Sequence, residues 1–315
     1  MYRRKTFILL IMAAWLLFGF CSCGYAGNAN LEKTDANGLE LRVMSFNIRF
    51  GTAEDGENHW KNRQQMVFDV LRNHKSDVIG MQETLHFQIE EILTAVPGYG
   101  MVGVGREDGD KEGEYSAILY DRTRFDVNES DTFWLSDTPE VPGSITWGNA
   151  CTRICTWARF VDKKSGSAFY VYNLHLDHIS QPSREKSAAL LIQRIGQRKH
   201  RDPFLVTGDF NVGEGNPVIR YLKGEITFDG NDNDVPANPI PVVDTFRVLY
   251  PDASGVGTFN EFEGKRDGEK IDYILAPSVT KVLEAQILHD NVDGRYPSDH
   301  FPVIARLILF KKSIR

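Results

Sequence analysis

The stretch Ser298-Asp299-His300-Phe301-Pro302-Val303 lies at the start of an apolar run, Val303–Leu309, that predicts a buried strand near the end of the chain. Adjacent residues of a strand point to opposite faces, so we expect Asp299 and His300 in the loop that enters this strand, where both side chains can turn toward one point. Polar groups at or near the ends of apolar strands recur in Ser45-Phe46-Asn47-Ile48, Met81-Gln82-Glu83 and Gly208-Asp209-Phe210-Asn211.

Short apolar or alternating runs predict that strands dominate the chain. The predicted strands are Leu41–Phe50, Asp77–Gln82, Tyr115–Tyr120, Arg153–Phe160, Ala168–Leu176, Phe204–Thr207, Ile271–Leu275, Val282–Leu288 and Phe301–Leu309. Helical periodicity appears in His59–His74, Leu85–Val96 and Pro182–Lys199. Few helices at irregular spacing do not make a regular parallel repeat. The pattern favours an α/β fold in which two mixed β-sheets pack face to face, with helices outside.

After Leu41, no Pro- or Ser-rich linker, charge block or internal repeat divides the chain. Gly230–Asn238 is the clearest loop, but candidate functional residues lie on both sides of it. A chain of this length can bury one large core. We therefore predict one domain over residues 41–315, preceded by a polar linker over residues 27–40.

The N-terminus has the pattern of an export signal: three basic residues at positions 3–5 precede the apolar run Phe7–Phe20, which is short for a membrane span. Cleavage after Ala26 would release a soluble protein, processing before Cys23 would give a bacterial lipoprotein, and an uncleaved anchor is a third alternative. We predict a signal peptide within residues 1–26 and a periplasmic or cell-surface location. Membrane contact is then expected only through a lipid on Cys23.

The charge balance is acidic. The formal net charge is −7, and removal of residues 1–23 takes away three basic residues and no acid, which leaves −10. Proteins that coat nucleic acid neutralise phosphates with Lys and Arg, so this class is disfavoured. Cleavage of a polyanion stays open, because a metal site supplies its own positive charge.

Beyond the signal region only Cys151 and Cys155 remain, four positions apart in a predicted strand. That spacing puts their Cα atoms about 13 Å apart, beyond the roughly 7 Å limit for a disulfide. We expect two buried free thiols. A zinc site on them is disfavoured because no further Cys completes the ligand set.

Single polar residues interrupt otherwise apolar strands. Asn47 lies within one, where a strand-end amide is the alternative, and Glu83 ends another, where an acid at the start of the next helix is the alternative. Asp272 interrupts Ile271–Leu275. A buried carboxylate without a cationic partner is costly, so these positions indicate a site.

Two further segments space polar groups two residues apart. Asn173, His175 and Asp177 alternate with apolar residues and therefore share one strand face. Asp209 and Asn211 follow the next apolar strand, where a turn acid is the alternative interpretation. The whole set is rich in hard oxygen ligands, which suit Mg²⁺ or Mn²⁺ better than Zn²⁺. Such a site, with imidazoles beside it, suits hydrolysis of a phosphate ester.

The ordered motifs resemble the endonuclease/exonuclease/phosphatase superfamily. They are Ser45-Phe46-Asn47, Gln82-Glu83, Glu114-Tyr115-Ser116, Asn173-Leu174-His175, Gly208-Asp209-Phe210-Asn211, Ile271-Asp272-Tyr273 and Ser298-Asp299-His300. Each motif is weak alone, but together they span Leu41–Phe310 in the family's order. The resemblance implies a four-layer α/β sandwich of two mixed sheets, a site at one edge of it, and metal-dependent hydrolysis of phosphate esters.

By this resemblance, Asn47 and Glu83 match metal-binding positions, and Asp299 lies close to the same site, which would hold Mg²⁺ or Mn²⁺. Asp209 matches the acid that orients or activates the attacking water. Asn211 matches the amide that holds a phosphate oxygen.

The resemblance implies roles at four more positions. Asp272 matches the acid that orients His300, and His300 matches the imidazole that contacts the scissile phosphate. Tyr115 matches a phosphate-side phenol. His175 matches a second His of the deoxyribonuclease, sphingomyelinase and deadenylase branches, where it can act as general acid; the abasic-site endonuclease branch differs at this position.

Two residues outside this set have two interpretations each. Arg153 is a candidate contact for a substrate anion, and a strand-surface charge is the alternative. Trp60 is a candidate for the cleft wall, but packing in the core of its helix is the preferred interpretation.

The leading hypothesis is a divalent-metal-dependent phosphodiesterase or phosphatase, acting as a monomer on a small phosphate ester through in-line attack by water. A secreted nuclease is an alternative, so nucleic acid stays a candidate substrate. A non-catalytic surface binding protein on the same fold is another. Such a protein would be expected to lack Glu83, Asp209 or His300, and all three are present.

Overall fold

A computed structural model describes residues 38–228 and 237–311, which belong to one compact unit. The predicted signal peptide over residues 1–26, the linker up to residue 37 and most of the predicted loop Gly230–Asn238 lie outside the described residues. In the described part of the chain, no helix is both long and apolar enough to cross a membrane.

The described strands and helices alternate irregularly along the chain. The strands are β1 (Gly38–Asn47), β2 (Val78–Gln82), β3 (Tyr99–Val102), β4 (Ile118–Asp121), β5 (Phe125–Trp134), β6 (Ile154–Asp162), β7 (Ala168–His175), β8 (Phe204–Asp209), β9 (Val242–Asp244), β10 (Asp272–Pro277), β11 (Lys281–Ile287) and β12 (Val303–Phe310). The helices are α1 (Trp60–His74), α2 (His86–Ala95), α3 (Gln181–Gln197), α4 (Pro217–Leu222) and α5 (Thr245–Leu249).

The strands form two mixed sheets, ordered β11-β12-β1-β2-β4-β3 and β5-β6-β7-β8-β10-β9. In each sheet one central pair is parallel, β1 with β2 and β7 with β8. A parallel pair needs a crossover connection, and α1 and α3 provide the two crossovers. In the first sheet, β12 runs antiparallel to β1, so the amino end of β12 lies beside the carboxyl ends of β1 and β2. In the second sheet, β10 runs antiparallel to β8, so the amino end of β10 lies beside the carboxyl ends of β7 and β8.

Apolar side chains fill three layers of core. Val43, Phe160 and Leu205 belong to the cluster between the sheets. Residues of α1 and α2, among them Trp60, pack on the outer face of the first sheet, and residues of α3 and α4 pack on the outer face of the second. The predicted four-layer sandwich is confirmed. Trp60 is only 3% exposed, in agreement with its predicted place in the core.

A layer of polar side chains links the two sheets near the edge where the carboxyl ends of both parallel pairs lie. The Asn173 amide donates to the carbonyls of Met81 and Ala117 at 2.9 Å and accepts from Gln82 and Thr207 at 2.7 and 3.0 Å. Asn173 thus joins the sheets rather than facing the cleft. Gly80 permits this approach, because a Cβ there would lie 2.1 Å from Thr207 Oγ1.

Several elements differ from the sequence prediction. Strand β1 begins at Gly38 rather than at Leu41, because Gly38 already pairs with Phe310 of β12. Elements β3, β5, β9, α4 and α5 were not predicted. Cys155 is buried as expected, but the prediction of a buried thiol is wrong for Cys151, which is half-buried in the loop ahead of β6; both are free.

Candidate active site

The inward face of the central strands changes from apolar to polar toward one edge of the sandwich. On β8, Leu205 is followed at alternate positions by Thr207 and Asp209, all buried. The same face ends in Asn47 on β1, His175 on β7 and Asp272 on β10. Asp209 pairs in register with His175 on one side and with Asp272 on the other, so the three residues form one row across the second sheet.

His300 lies between two buried carboxylates. Its Nδ1 is 2.9 Å from Asp272 Oδ2, and its Nε2 is 3.7 Å from Asp209 Oδ2. Burial disfavours the charged imidazole, but the charges of Asp272 and Asp209 outweigh it and raise the pKa of His300 well above its usual value. Burial, followed by repulsion from Asp272, raises the pKa of Asp209 to about 7. The site therefore combines an imidazolium with a carboxylate that exchanges its proton near neutral pH.

His175 lies on the other side of Asp209. Its Nε2 is 3.4 Å from Asp209 Oδ2 and 2.9 Å from Asn211 Nδ2. The same Nδ2 donates to the carbonyl of Leu176 at 2.9 Å, which orients the amide. Burial and then the charge of Arg153 lower the pKa of His175 well below its usual value. The imidazole is therefore neutral in the free protein, and its proton is on Nδ1 because Nε2 accepts from the amide.

Two carboxylates and an amide gather beside this row. Asn47 Nδ2 donates to Glu83 Oε1 and to Asp209 Oδ2, each at 3.0 Å. The Arg49 guanidinium lies 3.9 Å from Glu83 Oε2 and 3.8 Å from Asp299 Oδ2. Burial, with a contribution from Glu83, raises the pKa of Asp299, although the charges of His300 and Arg49 oppose the shift.

These residues fit a divalent cation. Glu83 and Asp299 offer the hard oxygen donors that Mg²⁺ and Mn²⁺ prefer, and burial, the main cause of the raised pKa of Asp299, makes its charge costly without a cation. The Asn47 oxygen accepts from the backbone N–H of Arg49 while its Nδ2 faces the carboxylates, so this amide would have to rotate to offer its oxygen to the ion. Ligand atoms of Glu83, His175 and Asp209 also lie within 4.8 Å of one another.

The backbone adopts left-handed conformations at three of these positions. The φ angles are 60° at Arg49, 59° at Glu83 and 54° at Asn211. Non-glycine residues seldom adopt such angles, and they concentrate where the surroundings hold a functional group in place. At Asn211 this turn lets the backbone N–H donate to Asp209 Oδ1 at 2.9 Å.

Three other residues that the sequence singled out, Tyr115, Asp177 and Arg153, lie outside the row of His175, Asp209 and Asp272. The Tyr115 hydroxyl donates to the carbonyl of Asp110 at 2.8 Å, and burial raises its pKa to about 12. Asp177 lies beyond the end of β7, and its carboxylate accepts three backbone N–H groups. Arg153 is only 4% exposed beside His175, so the alternative of a strand-surface charge is wrong.

Sequence reasoning missed two arginines of the site region, Arg49 and Arg63. A signal existed for both. Arg49 lies two positions after Asn47, and Arg63 is the basic residue on the apolar face of α1, between Trp60 and Val67. Arg63 is 1% exposed and donates to the carbonyls of Ile48, just after β1, and Pro297, in the segment that leads to β12.

Comparison with known proteins identifies the family of the chain. The Endonuclease/Exonuclease/phosphatase family model matches residues 44–300. The chain belongs to this family. Members of the family hydrolyse phosphate esters and generally depend on a divalent metal.

Solved family structures from Bacteroides resemble the chain over nearly their whole length. An endonuclease/exonuclease/phosphatase from Bacteroides vulgatus is 34% identical, with a TM-score of 0.76, and the match covers 86% of this chain and 99% of that one. A mannosyl-6-phosphatase from Bacteroides thetaiotaomicron is 32% identical, with a TM-score of 0.73 and coverage of 85% and 99%. The human nocturnin catalytic domain shares the fold at 18% identity, a TM-score of 0.64 and coverage of 85% and 93%.

Proposed function

We propose that this protein is a Mg²⁺- or Mn²⁺-dependent hydrolase of small phosphate esters that acts by in-line attack of water. The observation that carries the proposal is the row His175–Asp209–Asp272 with His300 against it. It places two imidazoles within 3.4 and 3.7 Å of one carboxylate whose pKa is raised to about 7. Buried charges are costly, and a binding protein would not be expected to keep Glu83, Asp209 and His300 together.

Each residue has a proposed task. Asp209 orients the attacking water and takes its proton, which a carboxylate with a pKa near 7 can do at neutral pH. The His300 imidazolium, held by Asp272, donates a hydrogen bond to a phosphoryl oxygen. In the free protein both protons of Asn211 Nδ2 are donated, to His175 Nε2 and to the carbonyl of Leu176, so this amide donates to a phosphoryl oxygen once His175 is protonated and Nε2 no longer accepts. A divalent cation held by Asn47, Glu83 and Asp299 would offset the charge on the phosphoryl oxygens.

His175 is the proposed proton donor to the leaving oxygen. The free imidazole is neutral, because burial and Arg153 lower its pKa. An anionic phosphate in the site would favour the protonated form, so donation is expected only in the complex with substrate.

The substrate class we favour is a sugar phosphate. The similarity to a mannosyl-6-phosphatase over 85% of the chain supports it, as does the acidic charge balance, which disfavours long polyanions. Nucleic acid is the alternative substrate, and the assay below would detect its hydrolysis.

A panel assay tests the proposal. It comprises p-nitrophenyl phosphate, bis-p-nitrophenyl phosphate, mannose 6-phosphate, DNA, RNA and sphingomyelin, each with Mg²⁺, Mn²⁺ or chelator. We expect metal-dependent turnover of small esters, and a fall of at least about 1,000-fold in Asp209→Ala and His300→Ala. Circular dichroism should show both variants folded. Near-normal turnover in either folded variant would refute its role, and no turnover of any ester with any metal would favour a binding protein.

A further inference from the structure

A small cavity opens on the His175 side of the site, where the proposed mechanism puts the leaving alcohol. Its volume is about 10 Å³, and its lining includes Arg106, Glu114, Tyr115, Thr152, Arg153 and His175. A cavity of this size holds one water-sized group. It is too small for a second phosphate.

Two residues of the lining, Arg153 and His175, each have one buried N–H without a hydrogen-bond partner among the described residues. Arg153 donates from one terminal nitrogen to His178 Nδ1 at 3.0 Å, but its Nε has no hydrogen bond, and Asp177 Oδ2 lies 3.7 Å away. The second is His175 Nδ1. It carries a proton because Asn211 donates to Nε2. A buried N–H without a hydrogen bond lowers the stability of the fold by about 1–3 kcal/mol, so a ligand that supplies an acceptor to either group would bind favourably.

The charges around the cavity are already matched. Arg106 pairs with Glu114 at 2.7 Å, and Arg153 lies 3.7 Å from a carboxylate oxygen of Asp177. An anionic group would meet the carboxylate of Glu114 as well as the arginines. A neutral hydroxyl fits better, because its oxygen can accept two hydrogen bonds while its proton is donated to a carboxylate.

We infer that this cavity is a hydroxyl subsite, in which Arg153 Nε and His175 Nδ1 bind one hydroxyl of the substrate's alcohol portion. This inference rests on the proposed function and narrows it to phosphate esters of polyols, sugars among them. Simple alkyl phosphates leave both N–H groups without a partner.

A matched pair of substrates tests the subsite. Glycerol 1-phosphate and propyl phosphate share a three-carbon leaving group and differ only in two hydroxyls. We expect wild-type kcat/KM to favour glycerol 1-phosphate by about 10- to 100-fold, the usual discrimination when polar groups of a site are left unpaired. In Arg153→Gln the ratio should fall to within about threefold of one. Asp202→Asn, which changes a buried carboxylate in the loop that enters β8, should keep the wild-type ratio.

Each failure has its own signature. A wild-type ratio near one, or a ratio unchanged in Arg153→Gln, would overturn the subsite even while p-nitrophenyl phosphate is turned over. Absence of turnover of every ester would refute the proposed function instead. In that case the increase in the Tm of the protein is measured with each of the two esters. A larger increase with glycerol 1-phosphate than with propyl phosphate would show the same preference in binding. Glu114 is the lining carboxylate to which the bound hydroxyl would donate its proton. If Arg153→Gln does not fold, Glu114→Gln removes this charged acceptor and should lower the same ratio.

Discussion

At the scale of single residues, the pair Asp272–His300 carries the strongest electrostatics of the site. Asp272 is fully buried, its Oδ2 faces His300 Nδ1 at 2.9 Å, and its Oδ1 has no hydrogen-bond partner among the described residues. Such a carboxylate is stabilised chiefly by the imidazolium it faces. The pair is therefore expected to act as a unit that holds the charge and orientation of His300.

We predict that Asp272→Asn lowers kcat for p-nitrophenyl phosphate by about 100-fold or more, because the amide orients and charges the imidazole less well than the carboxylate. Steady-state kinetics with saturating Mg²⁺ measures the effect. KM should change less than kcat, since the loss is of charge stabilisation in the transition state. A kcat within threefold of wild type in the folded variant would show that His300 acts without Asp272.

At the scale of elements, helix α1 does more than cross from β1 to β2. The guanidinium of Arg63 donates to the carbonyls of Ile48 and Pro297 at 2.6 and 2.8 Å and to the carbonyl of Arg49 at 2.9 Å. These carbonyls belong to the two segments that carry Asn47 and Asp299. One buried side chain on α1 thus fixes the distance between two proposed metal ligands.

We predict that Arg63→Lys weakens Mn²⁺ binding about tenfold, because a single ammonium cannot reach carbonyls that the planar guanidinium bridges. Isothermal titration calorimetry of the metal alone measures this without catalysis. In Arg63→Gly, millimolar guanidinium chloride should restore part of the affinity, whereas the same concentration of NaCl should not. Unchanged Mn²⁺ affinity in Arg63→Lys would show that the loops hold the ligands without the helix.

Elements also show which parts of the fold the sequence could predict. Strands that are buried on both faces, such as β2 and β8, were predicted because their residues form apolar runs. Strand β5 was missed because it lies at a sheet edge, where Asp126, Asn128 and Asp131 are exposed and the local sequence is that of a loop. This segment is a strand because it pairs with β6, and such long-range pairing leaves no periodic pattern in the local sequence.

At the scale of the whole molecule, charge is buried at more than the functional edge. Asp202, in the loop that enters β8, accepts from Arg159 at 2.6 and 2.9 Å and lies 3.2 Å from the Lys311 ammonium. Burial opposes ionisation of Asp202, but the hydrogen bonds from Arg159 and Lys311 outweigh it and lower the pKa of this carboxyl below its usual value. The ion pair between Asp202 and Arg159 supports the fold and has no part in the proposed chemistry.

We predict that Asp202→Asn lowers the free energy of unfolding by about 1 kcal/mol at pH 7 with unchanged kcat. The folded pKa lies below the unfolded one, so the stabilisation is fully present above about pH 4 and is lost as pH falls through the folded pKa. Urea unfolding of both proteins from pH 7 to pH 3 measures the difference, which should shrink only at the acid end. A difference that stays constant over this range would contradict the shifted pKa.

Local patterns in the sequence indicated which polar groups belong to the candidate site and that they lie at strand ends, because two-residue alternation and apolar runs are local properties. Asn47, Glu83, Asp209 and Asp272 were predicted on this basis, and the order of the motifs identified the family. The surroundings of these groups depend on the packing of distant segments. This packing placed Ser298 against the carbonyl of Asn47, buried Arg153 and Arg63, set Asn173 between the sheets and moved the pKa values of His175 and His300 in opposite directions. The reason is that pairing of distant strands and loss of solvent depend on long-range packing, which no local pattern of residues records.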